Sequence, residues 1–309
     1  MKCPKCQNDN YEGARFCTHC GFVLPRESRA KKFFMALLHA FLYVALFMGI
    51  QTVITFMYSF ALSFSLVGSI LFSGNLDAYD AELITEQLMN HVYENLHTVM
   101  LIAGLVTVLA LAISFRIRHK DAVKEMHVSK IPLIRAPWYV VLGISLQPVT
   151  NFLLSFLPES LLNDFAETNT LSYTTGPLGI ELLNVVILTP IVEELIFRGL
   201  AFTRMRRGMS TTLAVLISAT VFGAVHGHPV SFIYASVLGV VLAWLMLKNN
   251  DSVIAPILCH AGFNGGSYLL QLLLGESEST PLYLAVTVAS LAMLILSSFM
   301  TLRPIPDKE

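Results

Sequence analysis

Three short polar clusters interrupt stretches that are otherwise apolar. They read Glu193-Glu194-Leu-Ile-Phe-Arg198, Phe222-Gly-Ala-Val-His226 and His260-Ala-Gly-Phe-Asn264. Glu194 and Arg198 are four apart with the acid nearer the amino end, the favoured order for an ion pair along one helix face. Glu193 lies about 100° further round a helix and has no local partner. A carboxylate held that way can take a proton from water, the work of a general base. His260 and Asn264 share a face, as do Phe222 and His226, so imidazole and carboxamide groups can be aimed at one developing oxyanion. A lone membrane histidine, or one Glu–Arg pair, is often only a contact between helices. Six such groups on three apolar segments exceed what packing needs, because a charged group at mid-bilayer costs about 2.5–3.5 kcal/mol even on insertion scales.

The elements that must position these groups are membrane helices. The chain has 309 residues, of which 55% are hydrophobic and 13% charged, and its mean hydropathy is +0.65. A soluble domain carries about 25% charged residues, so the bulk of this chain should sit in lipid. The composition excludes a disordered chain and a secreted disulfide scaffold. A net charge of -1 and a pI near 6.8 give no reason to expect a nucleic-acid partner. Apolar segments are expected to cross at 33–72, 98–115, 138–157, 178–197, 211–225, 230–247, 252–274 and 282–300. The first is too long for the core of a signal peptide. Backbone groups in hydrocarbon must pair within their own segment, so all are helices. The expected fold is an all-α polytopic membrane protein with about eight transmembrane helices in residues 33–303 and a catalytic core near 178–270. With the amino terminus cytoplasmic and 33–72 counted once, all 20 Lys and Arg fall on cytoplasmic segments. The outer loops then hold only acids: Asp77, Asp80, Glu82, Glu86, Glu94, Glu159, Asp164, Glu167, Glu276 and Glu278. That is the positive-inside pattern, and it puts both termini in the cytoplasm. At 1.5 Å per residue, Glu193 and His260 then lie roughly 16 and 15 Å below the cytoplasmic edge, and His226 roughly 24 Å. Pro190 and Pro256 should kink their helices beside Gly262, Gly265 and Gly266 and leave a wet cavity.

A second chemistry sits at the amino end. Cys3-Pro-Lys-Cys6 and Cys17-Thr-His-Cys20 are two CxxC knuckles ten residues apart. Four thiolates close a tetrahedral zinc shell and leave no open position, so the metal is structural. Gly21 can supply a left-handed turn after the second knuckle. His19 would be redundant as a ligand. Residues 1–25 resemble the short zinc ribbons found at the ends of bacterial membrane proteins, and 26–32 form a basic linker. Cys259 reads as core, His228 as peripheral, Glu181 as an outer-surface residue at a helix start, and Trp138 and Trp244 as interface anchors.

Together, EExxxR, FxxxH and HxxxN in that order resemble the CAAX protease and bacteriocin-processing family of intramembrane endopeptidases. The resemblance covers about residues 178–270. It implies that Glu193, assisted by His226, activates the attacking water, that His260 and Asn264 stabilise the tetrahedral intermediate, and that Glu194 and Arg198 support them. The same atoms allow a second chemistry, zinc held by Glu193, His226 and His260, so a catalytic metal stays open. The substrate would be a membrane-associated peptide or protein, the ribbon would meet a cytosolic protein, and the location would be a bacterial plasma membrane. The alternative is a non-proteolytic bacteriocin self-immunity or toxin-binding membrane protein.

Overall fold

The computed structural model describes residues 2–11, 14–24, 28–73, 81–173, 176–275 and 280–303. Arg26 of the basic linker, the loop acids Asp77, Asp80, Glu276 and Glu278, and Lys308 lie outside them. Among the described residues the chain is helical apart from the amino-terminal module. The helices longer than one turn are α1 (Arg29–Ser73), α2 (Ala81–Glu94), α3 (Leu96–Ile117), α4 (Ala136–Leu154), α5 (Glu159–Tyr173), α6 (178–205), α7 (Thr211–Ala224), α8 (Pro229–Lys248), α9 (Ile254–Leu274) and α10 (Thr280–Leu302).

Their ends follow local chemistry. Ser210 caps α7 by accepting from Leu213 N–H, and His228 caps α8 through Val230 N–H, with Pro229 in the first turn where its missing N–H is harmless. Gly275 ends α9 at a positive φ of 54°. α1 is one unbroken helix of 45 residues, about 68 Å long, so a single crossing leaves it extending well beyond a ~30 Å hydrocarbon layer. It exposes Phe56, Phe60 and Phe64, a face that is tolerable in lipid and costly in water.

Length and composition mark four helices as long and apolar enough to cross a membrane, not eight: Arg29–Ser69 within α1, then α3, α8 and α10. α7 is apolar but has 14 residues. α4, α6 and α9 carry the polar groups of the site, including Gln147, Asn151, Glu193, Arg198, His260 and Asn264, and these dilute their apolar character. α6 also runs past the expected end at 197, and Arg204 is buried in its last turn.

Two close approaches fix the frame of the site. A Cβ on Gly143 of α4 would lie 1.9 Å from the Cys259 carbonyl, and one on Gly262 of α9 would lie 2.2 Å from the Val140 carbonyl. Gly262, expected to help leave a cavity, does the opposite here: with Gly143 it lets α4 and α9 touch backbone to backbone. Pro256 does not kink α9 either. It is the third helical residue, where the N–H has no partner inside the helix.

Contacts at the polar ends join segments assigned to one side by charge. Arg204 pairs with Glu125, Lys120 pairs with Glu125 at 3.1 Å, and Arg206 pairs with Asp251 at 2.6 Å. On the side assigned as outer, His228 Nε2 donates to Asp164 of α5 at 3.1 Å.

Candidate active site

α6 is not a uniform helix. Leu183–Leu188 and Leu195–Phe202 are π-helical, and the α turn Thr189–Glu194 between them carries both acids. π segments inside α-helices are frequent at functional sites. Here the first has a traceable cause. In π register the Val185 carbonyl looks to residue 190, and Pro190 has no N–H to give. Asn264 Nδ2 supplies the missing donor, 2.8 Å from that carbonyl. Asn264 is thus brought to α6 by the defect that the proline creates, and its second amide hydrogen remains for other use.

The second π segment supplies the arginine of the ion pair. Arg198 Nη1 donates to Glu194 Oε1 at 2.9 Å, and both side chains are fully buried. Arg198 Nη2 reaches the Gly239 carbonyl at 3.3 Å, and the guanidinium lies 4.1 Å over the Phe222 ring. Gly239 is needed for this, because a Cβ there would meet Arg198 Nη2 at 3.2 Å and Ala219 at 3.0 Å. The same Glu194 oxygen accepts from His260 Nδ1 at 3.0 Å. A carboxylate only accepts, so Nδ1 carries the hydrogen and Nε2 points onward, 3.9 Å from Glu193 Oε2. That Glu193 oxygen is buried and has no hydrogen-bond partner among the described residues.

His226 follows the end of α7. Its Nδ1 lies 2.7 Å from the Phe222 carbonyl, which can only accept, so this ring too is protonated at Nδ1 and leaves Nε2 free. The Phe222 ring stands edge-on to both imidazoles, at 5.0 Å from His226 and 5.7 Å from His260. Glu193, His226, His260 and Asn264 all line one cavity of about 330 Å³. A second cavity, about 170 Å³, reaches Glu193, Thr189 and His226 from the side of α1 and α3, past Phe47, Met48 and Met100. Glu193 and His226 border both voids. His226 shares the chamber although its counted depth was greater, because it lies beyond the last turn of α7.

The structure brings together all six residues singled out in the three motifs. It also adds groups that the motifs do not contain. Gln147, Thr150 and Asn151 of α4 line the larger cavity. A polar pair four apart inside an apolar span was the visible signal for them. Glu181 needs correcting: it is buried, and it accepts from Tyr268 Oη at 2.7 Å instead of resting at an outer surface. Cys259 is fully buried, as a core residue should be. Trp244 packs, partly buried, in the cluster around Tyr139 and Leu242.

The four amino-terminal thiols could together hold a metal ion. Cys3 and Cys20 Sγ are 3.7 Å apart, and Cys6 and Cys17 Sγ are 3.5 Å apart. Tetrahedral zinc with Zn–S near 2.3 Å needs sulfurs about 3.8 Å apart, so the cage fits. Gln7 and Gly21 take the same left-handed turn after each knuckle, with φ of 60° and 70°. Asn10 Nδ2 reaches Cys17 Sγ at 3.6 Å while its Oδ1 accepts from Thr18 N–H, which orients that thiolate. Among the described residues, only these cysteines bring three or more such ligand atoms within 4.8 Å of one another.

Comparison with known proteins agrees with this division. Residues 176–266 match the family of type II CAAX prenyl endopeptidase Rce1-like proteins, and residues 2–24 match the zinc-ribbon domain. No curated protein and no solved structure matches the chain. The match ends two residues after Asn264 and spans all three motifs, so this membrane protein carries an Rce1-like CAAX prenyl endopeptidase domain together with an amino-terminal zinc ribbon.

Proposed function

We propose that the protein is an intramembrane endopeptidase that hydrolyses a peptide bond in a membrane-associated substrate of the prenylated CAAX type. The observation that carries this reading is the buried, unpartnered Glu193 oxygen in a cavity shared with two imidazoles and a carboxamide. Glu193 takes a proton from water, with His226 Nε2 holding the water's second hydrogen. The oxygen adds to the scissile carbonyl. The oxyanion accepts from the remaining Asn264 N–H and from His260 Nε2, that ring having bound a second proton from solvent before water attacks. Collapse breaks the C–N bond, and protonated Glu193 returns its proton to the leaving amine. Glu194 and Arg198 are positioning residues: one fixes His260 through Nδ1, and the other neutralises Glu194.

This is a glutamate mechanism. The rival form holds a metal between Glu193, His226 and His260, whose free Nε2 atoms would serve as ligands. Metal analysis of a variant lacking all four ribbon cysteines separates them: one equivalent of tightly held zinc in that protein would favour the metal form. Catalysis by Glu193→Gln would rule out the glutamate form, and a toxin-binding or immunity role would survive that substitution.

We place both termini in the cytoplasm and the protein in a bacterial plasma membrane, crossing up to eight times. The positive-inside pattern supports this orientation, as do the ion pairs among segments assigned to one side. The ribbon then faces the cytosol, where it would engage a protein partner. Deleting residues 1–25 should change partner choice and leave peptide cleavage intact.

A further inference from the structure

The catalytic reading leaves Gln147 in the chamber without a task, and it alone of the chamber's polar residues without one carries a buried oxygen with no partner among the described residues. Gln147 of α4 lines the cavity that holds Glu193, His260 and Asn264. Its Nε2 makes a long bond of 3.4 Å to Asn151 Oδ1, one turn further along α4. Its Oε1 is buried and has no partner among the described residues. A buried amide oxygen left unpaired is unfavourable, and in an apolar helix a leucine would avoid the penalty altogether. The neighbouring helix even makes room for this side chain: a Cβ on Gly266 of α9 would press on Gln147 Cβ at 3.1 Å.

An amide oxygen needs a donor. Other donors that line the chamber, on Thr150, Asn151, Tyr234 and Ser267, do not bond to it, and those on His260 and Asn264 are assigned to the substrate carbonyl. A peptide entering the chamber brings an N–H beside each of its carbonyls. The geometry points to Gln147 as a substrate-binding residue whose Oε1 accepts a backbone N–H of the peptide next to the scissile bond. Carbonyl and N–H are then gripped by different helices, α9 and α4, and the peptide is held extended across the cavity. This inference rests on the endopeptidase reading. It goes beyond that reading by assigning a substrate contact to a residue outside the matched segment, 176–266.

The test compares amide and ester. A fluorescent peptide with a farnesylated cysteine and three following residues is made as the all-amide form and as two single esters, each replacing one N–H beside the scissile bond. Binding to full-length protein in lipid nanodiscs is measured in the inactive Glu193→Gln background, with and without Gln147→Met. One ester should bind about tenfold more weakly than the amide when Gln147 is present, the scale of one buried hydrogen bond. The two should bind alike when it is replaced. Gln147→Leu serves as a second replacement should methionine disturb the packing against Gly266. An ester penalty that is equal in both backgrounds, or absent from both, overturns the assignment. Cleavage by otherwise wild-type protein is followed in parallel. If cleavage of the all-amide peptide persists while the ester penalty ignores Gln147, only this inference falls. If the wild-type protein neither binds nor cuts the peptide, the CAAX-type reading falls and takes the inference with it.

Discussion

Adjacent carboxylates with opposite roles make the sharpest prediction. Glu194 Oε1 accepts two donors, Arg198 at 2.9 Å and His260 at 3.0 Å, and Glu194 and Arg198 are both fully buried. Glu194→Gln keeps the shape and removes the charge, which leaves the Arg198 guanidinium in a dry site without its counter-ion. Breaking one partner of such a buried pair costs about 3–5 kcal/mol. For a chain of this size that corresponds to a fall of about 5–15 °C in the thermal midpoint. Glu193 is different. Its Oε2 has no hydrogen bond to lose, and the buried charge that Gln removes has no directly bonded guanidinium, only His260 at 3.9 Å, whose extra proton can leave with it. Glu193→Gln should therefore leave the midpoint unchanged or raise it. Its cleavage rate should drop by at least about 10²–10⁴-fold, the range for losing a general base. The assay pairs thermal unfolding in nanodiscs with hydrolysis of a quenched farnesyl peptide. Equal destabilisation by the two substitutions would make Glu193 a structural acid, and the reasoning from its unpartnered oxygen would be wrong.

Gly262→Ala places a methyl 2.2 Å from the Val140 carbonyl, so it should destabilise by about 1–3 kcal/mol through overpacking, read as a lower thermal midpoint. One zinc per chain should be found by metal analysis, and Cys17→Ser should release it and unfold the ribbon, since a module this small cannot fold without metal. Burial opposes ionisation of Glu125, but Lys120 and Arg204 outweigh it and hold its carboxyl below the usual glutamate range. A depressed carboxyl stabilises the fold above its unfolded value, near 4.3, and that contribution is lost as pH falls through the folded value. The midpoint gap between the native protein and Glu125→Gln should thus be open at pH 7 and close in acid, by about 1 kcal/mol for a partly exposed carboxyl whose second partner, Lys120, is exposed.

Helical spacing made part of the site readable in advance. Four-residue intervals predicted the Glu194–Arg198 bond and the shared face of His260 and Asn264, because those relations are local. What was not readable depended on register or on distant neighbours. Nothing in the sequence marks 183–188 as π-helical, so the first partner of Asn264 could not be foreseen. Glu181 looked like a surface residue because Tyr268, 87 positions away, is invisible to local pattern. Gly262 was misread because a glycine can open a space or close one, and only the helix facing it decides. The count of eight spans came from apolar runs, while the helices that hold the chemistry carry enough polar groups to fall outside the four that are long and apolar enough to cross.

Charge accounting ties these features together. Glu193 and Glu194 carry two negative charges, and Arg198 offsets one. An isolated charge in a low-dielectric chamber is strongly unfavourable, so the remaining one must be balanced from within. His260 is the group placed to do it, 3.0 Å from one acid and 3.9 Å from the other. In the proposed mechanism His260 enters as the imidazolium, and the site is neutral before water attacks. When Glu193 takes the proton, its charge vanishes and an equal charge appears on the oxyanion. The total is constant and the charge moves only a short distance, toward groups already fixed by α6 and α9. A site arranged this way needs little reorganisation in the transition state, and that is where electrostatic catalysis is most effective. It follows that His260→Gln should reduce cleavage more severely than Asn264→Ala: the first removes both an oxyanion donor and the balancing charge, the second a donor alone. Single-turnover rates of the two variants on the farnesyl peptide measure the difference, and the reverse order would break the charge argument.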